Sequence, residues 1–172
     1  MYIPLPDSFP REIKLRGDLR PGDLGAIIRL HGEVYAQEYG FDHTFEAYVA
    51  AGIADFARAG GTPEGRVWVA EKGGSLIGSI AVVRRSEAEA QLRWFLIHPS
   101  CRGLGLGRIL LREALQFAKE GKYRNIFLWT IQDLTVAAHL YRSSGFKKTG
   151  EKTHPLWSKV IHEERYELLL GP

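Results

Sequence analysis

Residues 91–118 constrain this chain more than any other stretch. An apolar segment, Gln91-Leu92-Arg93-Trp94-Phe95-Leu96-Ile97-His98, stops at Pro99, and Arg102-Gly103-Leu104-Gly105-Leu106-Gly107-Arg108 follows. Leu106, Ile109, Leu110, Leu111, Ala114, Leu115 and Ala118 then recur at helical spacing. A strand that hands over to a helix through three alternating glycines predicts an α/β domain. Glycine reaches positive φ without penalty and lets a ligand approach the main chain. The first N–H groups of the helix lack internal partners and lie at the positive end of its dipole. Such a junction suits a phosphate or pyrophosphate, with Arg102 or Arg108 adding charge. The dinucleotide fingerprint Gly-x-Gly-x-x-Gly fails, because counting from Gly103 ends on Arg108 and counting from Gly105 ends on Leu110. No Gly-Lys-Ser/Thr triplet is present, so a Walker loop is excluded. A tight turn with no ligand is the plain alternative, but ordinary capping residues would serve that purpose better than three glycines.

The rest of the chain supplies the elements around this junction. Glu12-Ile13-Lys14-Leu15-Arg16 alternates as a strand does, after an irregular lead-in over residues 1–10. Arg20-Pro21-Gly22-Asp23 reads as a turn in which Asp23 caps a first helix, and a second helix starts near Thr44 and ends at Gly60-Gly61-Thr62-Pro63. Residues 67–70 and 76–84 form a hairpin about Gly73-Gly74. Beyond the glycine turn and its helix, closed by Gly121, come a strand at 125–131, a helix at 134–144, and strands at 146–152 and 164–170. The order β-α-α-β-β-β-α-β-α-β-β predicts a mixed central sheet flanked by helices.

Composition narrows the function. The 172 residues, 45% hydrophobic and 25% charged, suit a single domain over 1–172 with its core at about 12–170. No apolar run is long enough to cross a membrane, and Met1-Tyr2-Ile3-Pro4-Leu5-Pro6 lacks the apolar centre of a secretory leader. Cys101 is the only cysteine, so an internal disulfide and a cysteine-rich zinc site are excluded and a cytoplasmic location is expected. The six histidines lack metal-ligand spacing, and no metal is expected. The net charge of +3 is scattered without a basic and aromatic stripe, so no nucleic-acid partner and no membrane partner is expected.

Arg102-x-x-Gly105-x-Gly107 after Ile97-His98-Pro99, together with Ala137-x-x-Leu140-Tyr141-x-x-x-Gly145-Phe146, resembles the two signatures of the GNAT superfamily of acyl-CoA N-acyltransferases. The resemblance runs over residues 12–170, and it implies the GNAT fold, acetyl-CoA as co-substrate and transfer of the acetyl group to an amine. It places the pantetheine arm along Phe95, Leu96 and Ile97, whose strand splays from its neighbour. The pyrophosphate then falls on the N–H groups of Arg102, Gly103, Leu104, Gly105, Leu106, Gly107 and Arg108. It makes Tyr141 the acid for the departing thiolate; a phenol with pKa near 10 holds its proton at neutral pH. A backbone N–H in the splayed strand serves the oxyanion. Leu134 stands where many relatives carry an asparagine that contacts coenzyme A, which leaves Gln132 or another neighbour to replace that contact. Residues 20–25 and 31–40 are similar more narrowly to acetyltransferase domains that follow a MarR-type DNA-binding module. No room for that module is expected ahead of Glu12, so DNA binding is not carried over.

The acceptor end is less defined. An amine is protonated at neutral pH and needs a base. The strand before the glycine turn carries no glutamate, so Glu38 is the first candidate, with Glu33 behind it. Tyr35, Tyr39, Arg93 and His154 are expected to contact the substrate, with Trp94 and Trp129 shaping the pocket. An arginine in an apolar strand either faces solvent or pairs with a carboxylate, and a substrate carboxylate would suit Arg93. His154 and His162 are expected to flank a loop, with Pro155 and Trp157, that covers the site. A small amine or amino acid is the expected acceptor. A protein N-terminus or lysine, or a coenzyme A sensor without turnover, are the alternatives. The chain is expected to be a monomer or a homodimer, with the last strand an exposed sheet edge.

Overall fold

The structure is a computed structural model that describes residues 1–60 and 65–171, so the expected turn beyond Gly60 lies outside the described residues. Its elements are β1 (Tyr2–Ile3), β2 (Ile13–Arg16), α1 (Asp23–Tyr39), α2 (His43–Arg58), β3 (Arg66–Lys72), β4 (Ser75–Arg84), β5 (Glu89–Ile97), α3 (Leu106–Glu120), β6 (Asn125–Ile131), α4 (Thr135–Ser143), β7 (Lys147–Leu156) and β8 (Lys159–Leu169). The predicted order holds, with a short β1 added where an irregular lead-in was expected; it pairs antiparallel with β2. No helix among the described residues is long and apolar enough to cross a membrane.

The strands form one sheet in the order β1-β2-β3-β4-β5-β6-β8-β7. Alternation along each strand sends one row of side chains to each face. On one face Trp68, Ile80, Val82, Leu92, Ile126, Leu128 and Tyr166 pack with Leu106, Leu110 and Leu111 of α3 and Tyr141 of α4. On the other, Val67, Val69, Ala81, Trp94, Ile131 and Ile161 pack with Ile27 of α1 and Phe45, Val49 and Ile53 of α2.

Two irregularities open the sheet at its centre. The parallel pair β5–β6 is hydrogen-bonded only from Glu89↔Asn125 to Gln91↔Phe127, after which β6 continues against β8 alone. The ends of β5 and β6 therefore part, and the outer edge of β5 is left without a strand beside it. In β5 itself, Ala81 faces Arg93 while Ser79 faces Leu96, so one residue of β4 opposes two of β5. This bulge sits at Trp94, which has φ 48. A bulky residue reaches positive φ only where its surroundings impose it. Here the buried Ser79 hydroxyl donates to the Trp94 carbonyl at 2.6 Å and holds the bend.

Three expectations need correction. Asp23 does not cap α1: Gly22 takes the capping position at φ 96, and Asp23 is the first helical residue. Its carboxylate accepts from both Nη atoms of Arg16, at 2.8 and 2.7 Å, and from the Arg20 N–H at 2.5 Å. An isolated buried guanidinium is costly, so Asp23 and Glu71, 3.1 Å from Arg16 Nε, are claimed as its counter-charges. The segment about Trp157 is no covering loop but the two-residue turn of the β7–β8 hairpin, with Trp157 and Ser158 both at positive φ, 52 and 65. The exposed edge is β7 rather than the last strand, because β8 inserts between β6 and β7. Charged side chains along β7, with Pro155, guard that edge against pairing with another chain.

Candidate active site

A cavity of about 780 Å³ fills the gap between the parted strands and runs on to the start of α3. That is the size range of sites for cofactors and small ligands. The glycine turn, the β5 edge and α4 line one end, and α1, α2 and the β7–β8 hairpin line the other.

At the first end, Gly103 and Gly105 stand at φ 80 and 84, values that a side chain would resist. Gly105 is the N-cap of α3, and Arg108 and Ile109 donate back to its carbonyl at 3.1 and 3.3 Å. The N–H groups of Gly103 to Gly107 meet no acceptor among the described residues. A Cβ at Gly107 would lie 3.3 Å from Ile97 Cδ1, so helix and strand approach as closely as they do because residue 107 has no side chain. Gly103, Gly105, Leu106, Gly107, Arg108, Phe95, Leu96 and Ile97 all line the cavity, whereas Leu104 points away and is exposed. Arg102 reaches the cavity, but its guanidinium is engaged by Glu38 and by the Ile97 carbonyl, 3.1 Å from Nε. Free N–H groups at a helix start, glycines in the conformation they alone favour and an unpaired strand edge fit the diphosphate and the amide-rich arm of coenzyme A.

Tyr141 lies between the two ends. Burial drives its pKa well above the ordinary phenol value, and its hydroxyl has no hydrogen-bond partner among the described residues. It therefore keeps its proton throughout the neutral range and can donate it inward. Of the positions flanking Leu134, Asp133 and Thr135 line this cavity; Gln132 does not, and its N–H is spent on the His162 carbonyl at 2.8 Å.

The second end is built from side chains. Tyr35 and Tyr39, with Phe41, Phe45, Tyr48 and Trp157, form one aromatic cluster with ring centroids 4.4–6.3 Å apart. Tyr35, Tyr39, Arg93, Trp94, Trp129 and His154 all line the cavity, as expected. Glu38 does not: it makes a bidentate ion pair with Arg102 at 2.7 and 3.0 Å, and its carboxylate lies off the cavity. Glu33 is tied to Arg29 at 2.7 Å on the exposed side of α1. His162 bonds Thr153 and lies off this cavity.

Two groups that sequence reasoning passed over stand in their place. Glu163, on β8, lines the cavity with its side chain only 12% exposed; its Oε2 lies 2.6 Å from His154 Nε2 and 3.2 Å from Lys152 Nζ. His31, on α1, is buried with Nδ1 2.8 Å from the Ile27 carbonyl. A carbonyl only accepts, so Nδ1 carries the proton and Nε2 is a bare acceptor. Burial lowers the His31 pKa to about 4, and the ring stays neutral. Glu163 becomes visible only once the hairpin register pairs Lys152 with it. A Trp-Ser turn lacks the Asn-Gly or Asp-Gly chemistry that would mark that register in sequence.

A mixed sheet whose central strands part above a glycine-rich helix start defines the class of acyl-CoA N-acyltransferases. The model of the Acetyltransferase (GNAT) family matches residues 29–146, and the chain belongs to this family. An uncharacterized N-acetyltransferase of Schizosaccharomyces pombe is 33% identical over 155 residues, 89% of this chain and 94% of that protein. N-acetyltransferase family 8 member 2 of Rattus norvegicus is 35% identical over 105 residues, 58% of this chain and 46% of the relative, so the match spans under half of that protein. The fold matches an acetyltransferase of Streptococcus agalactiae with a TM-score of 0.75 at 22% identity, over 93% of this chain and 99% of the other. It also matches a Salmonella typhimurium protein described as an acetyltransferase and solved with its cofactor acetyl-CoA, with a TM-score of 0.70 at 17% identity, over 93% and 95%. The chain is thus an acetyl-CoA-dependent N-acetyltransferase by family.

Proposed function

We propose that the protein acetylates a primary amine of a small molecule or amino acid by direct attack on acetyl-CoA. The observation that carries this reading is one continuous cavity that joins the glycine turn, Tyr141 and an aromatic-walled chamber. When bound, acetyl-CoA supplies an acyl thioester whose carbonyl carbon an amine can attack. The N–H groups of residues 103–107 hold the diphosphate, and main-chain groups of Phe95, Leu96 and Ile97 align the arm as an added strand would. A backbone N–H at the bulged part of β5 serves the carbonyl oxygen as charge develops there. Tyr141 gives its proton to the sulfur, which burial has kept on the phenol.

The amine's own proton goes to the His154–Glu163 pair. The Glu163 carboxylate, 2.6 Å from Nε2, orients the imidazole, whose other ring nitrogen can take up the proton. The crowded wall of Tyr35, Tyr39, Phe45, Tyr48 and Trp157 supports a small acceptor over a protein N-terminus or lysine, which would need an open groove. The reading includes a cytoplasmic setting, on the lone thiol Cys101, and a monomer or homodimer. The reading also includes the narrower likeness of residues 20–25 and 31–40 to acetyltransferase domains that follow a MarR-type module. The test is a thiol-release assay over a panel of amines and amino acids, alongside melting curves with acetyl-CoA. Turnover of a small amine and a raised Tm, from preferential binding to the folded state, are the expected results. An unmoved Tm would end the reading.

A further inference from the structure

Arg93, on β5, lines the acceptor chamber, and Arg85 follows the end of β4; neither makes an ion pair among the described residues, and each donates to a neutral oxygen. Arg93 projects from β5 toward α2, where its Nη2 donates to the Tyr48 hydroxyl at 3.1 Å. Its guanidinium lies over the Trp94 and Tyr48 rings, 4.9 and 5.4 Å from their centroids. It also rests against Gly52 of α2, where a Cβ would stand 3.0 Å from Nη1. Arg85 bonds the Gln91 side-chain oxygen at 2.8 and 2.5 Å. Neutral oxygens thus serve two guanidiniums, of which Arg93 is half-buried and Arg85 exposed. Of the other arginines that line the cavity, Arg102 has Glu38 as its counter-charge and Arg108 stands at the start of α3, at the far end from the acceptor chamber. Arg93, Tyr48 and Gln91 line the same cavity as Glu163 and His154.

We infer that Arg93 is the acceptor's anchor, and that the acceptor is a primary amine that also carries a carboxylate, held by the guanidinium while the amine faces His154 and Glu163. A planar guanidinium offers a carboxylate two parallel donors, and the flanking aromatic faces keep it flat and partly dry. The chamber carries the Arg93 guanidinium on its β5 side and the Glu163 carboxylate, shared by His154 and Lys152, on its β8 side, so a carboxylate is favoured and a plain cationic amine repelled at Arg93. The inference rests on the transferase reading above and deepens it.

The test compares amino acids with the amines left by removing their carboxylate, across several chain lengths, as acceptors for thiol release. The expected result is a kcat/KM about 10- to 100-fold higher for the carboxylated member of a productive pair, mostly through KM. In Arg93→Leu that ratio falls to about one. Gly52→Ala, which keeps the charge but displaces the guanidinium, lowers the ratio in part. The acetyl-CoA shift in Tm, retained in both variants, shows that each is folded. Wild-type protein that acetylates the decarboxylated partner equally well, or acetylates neither member of any pair, overturns the inference. So does an Arg93→Leu protein whose ratio is unchanged. Failure of the transferase reading is separate, because it appears as a wild-type Tm that acetyl-CoA does not move.

Discussion

The two ends of the cavity are built on different principles. The end beneath α3 works through main chain: free N–H groups, two glycines at positive φ and one unpaired strand edge. The end beneath α1 and α2 works through side chains drawn from α1, α2, β5, β6 and the β7–β8 hairpin. Main-chain recognition tolerates any residue except where a side chain would intrude, so it leaves a short contiguous signature of glycines. Side-chain recognition scatters its members over the chain, and their meeting depends on register.

If the contrast is right, substitutions at the two ends should separate binding from turnover. The largest effect is expected where they meet. Tyr141→Phe should lower turnover by roughly 10²- to 10⁴-fold, in line with the loss of a positioned acid, while the acetyl-CoA-induced rise in Tm survives. Unchanged turnover would remove the acid from the mechanism. Next is Gly105→Val. A β-branched residue at φ 84 strains the turn that presents the N–H groups at the start of α3, and acetyl-CoA affinity should fall about 100-fold by calorimetry. A variant that binds normally would mean that the helix start is not the diphosphate site.

The smallest effects distinguish two carboxylates. Glu163→Gln should cost about 10-fold in kcat by steady-state kinetics, because it removes the carboxylate that orients His154. Glu38→Gln should leave kcat within about threefold, since that carboxylate serves Arg102. The reverse ranking would restore Glu38 as the base.

Much of the fold was legible because it depends on local periodicity. The 3.6-residue spacing of Ile109, Leu110, Ala114 and Ala118, the alternation in β2 and the Gly73-Gly74 turn each report a neighbour within a few residues. The departures from local reading share a cause. Asp23 carries the right chemistry for a cap, but the buried guanidinium of Arg16, on a strand of the sheet, makes the stronger demand on it. Glu38 sits on the right helix, yet Arg102 of the glycine turn takes its oxygens. The β7–β8 turn is built on Trp157 and Ser158, which carry no local signal for positive φ, so its register and the pairing of Glu163 with Lys152 stayed hidden.

By itself, then, the sequence determined the α/β order, the glycine-rich helix start and the position of Tyr141, because each follows from contiguous residues acting on their own backbone. Tertiary structure decided which charges neutralise one another: Arg16 with Asp23, Arg102 with Glu38, Lys152 with Glu163, and Arg93 with no carboxylate among the described residues. An ion pair is a matter of a few ångströms between side chains from different elements, and no spacing along the chain encodes that distance.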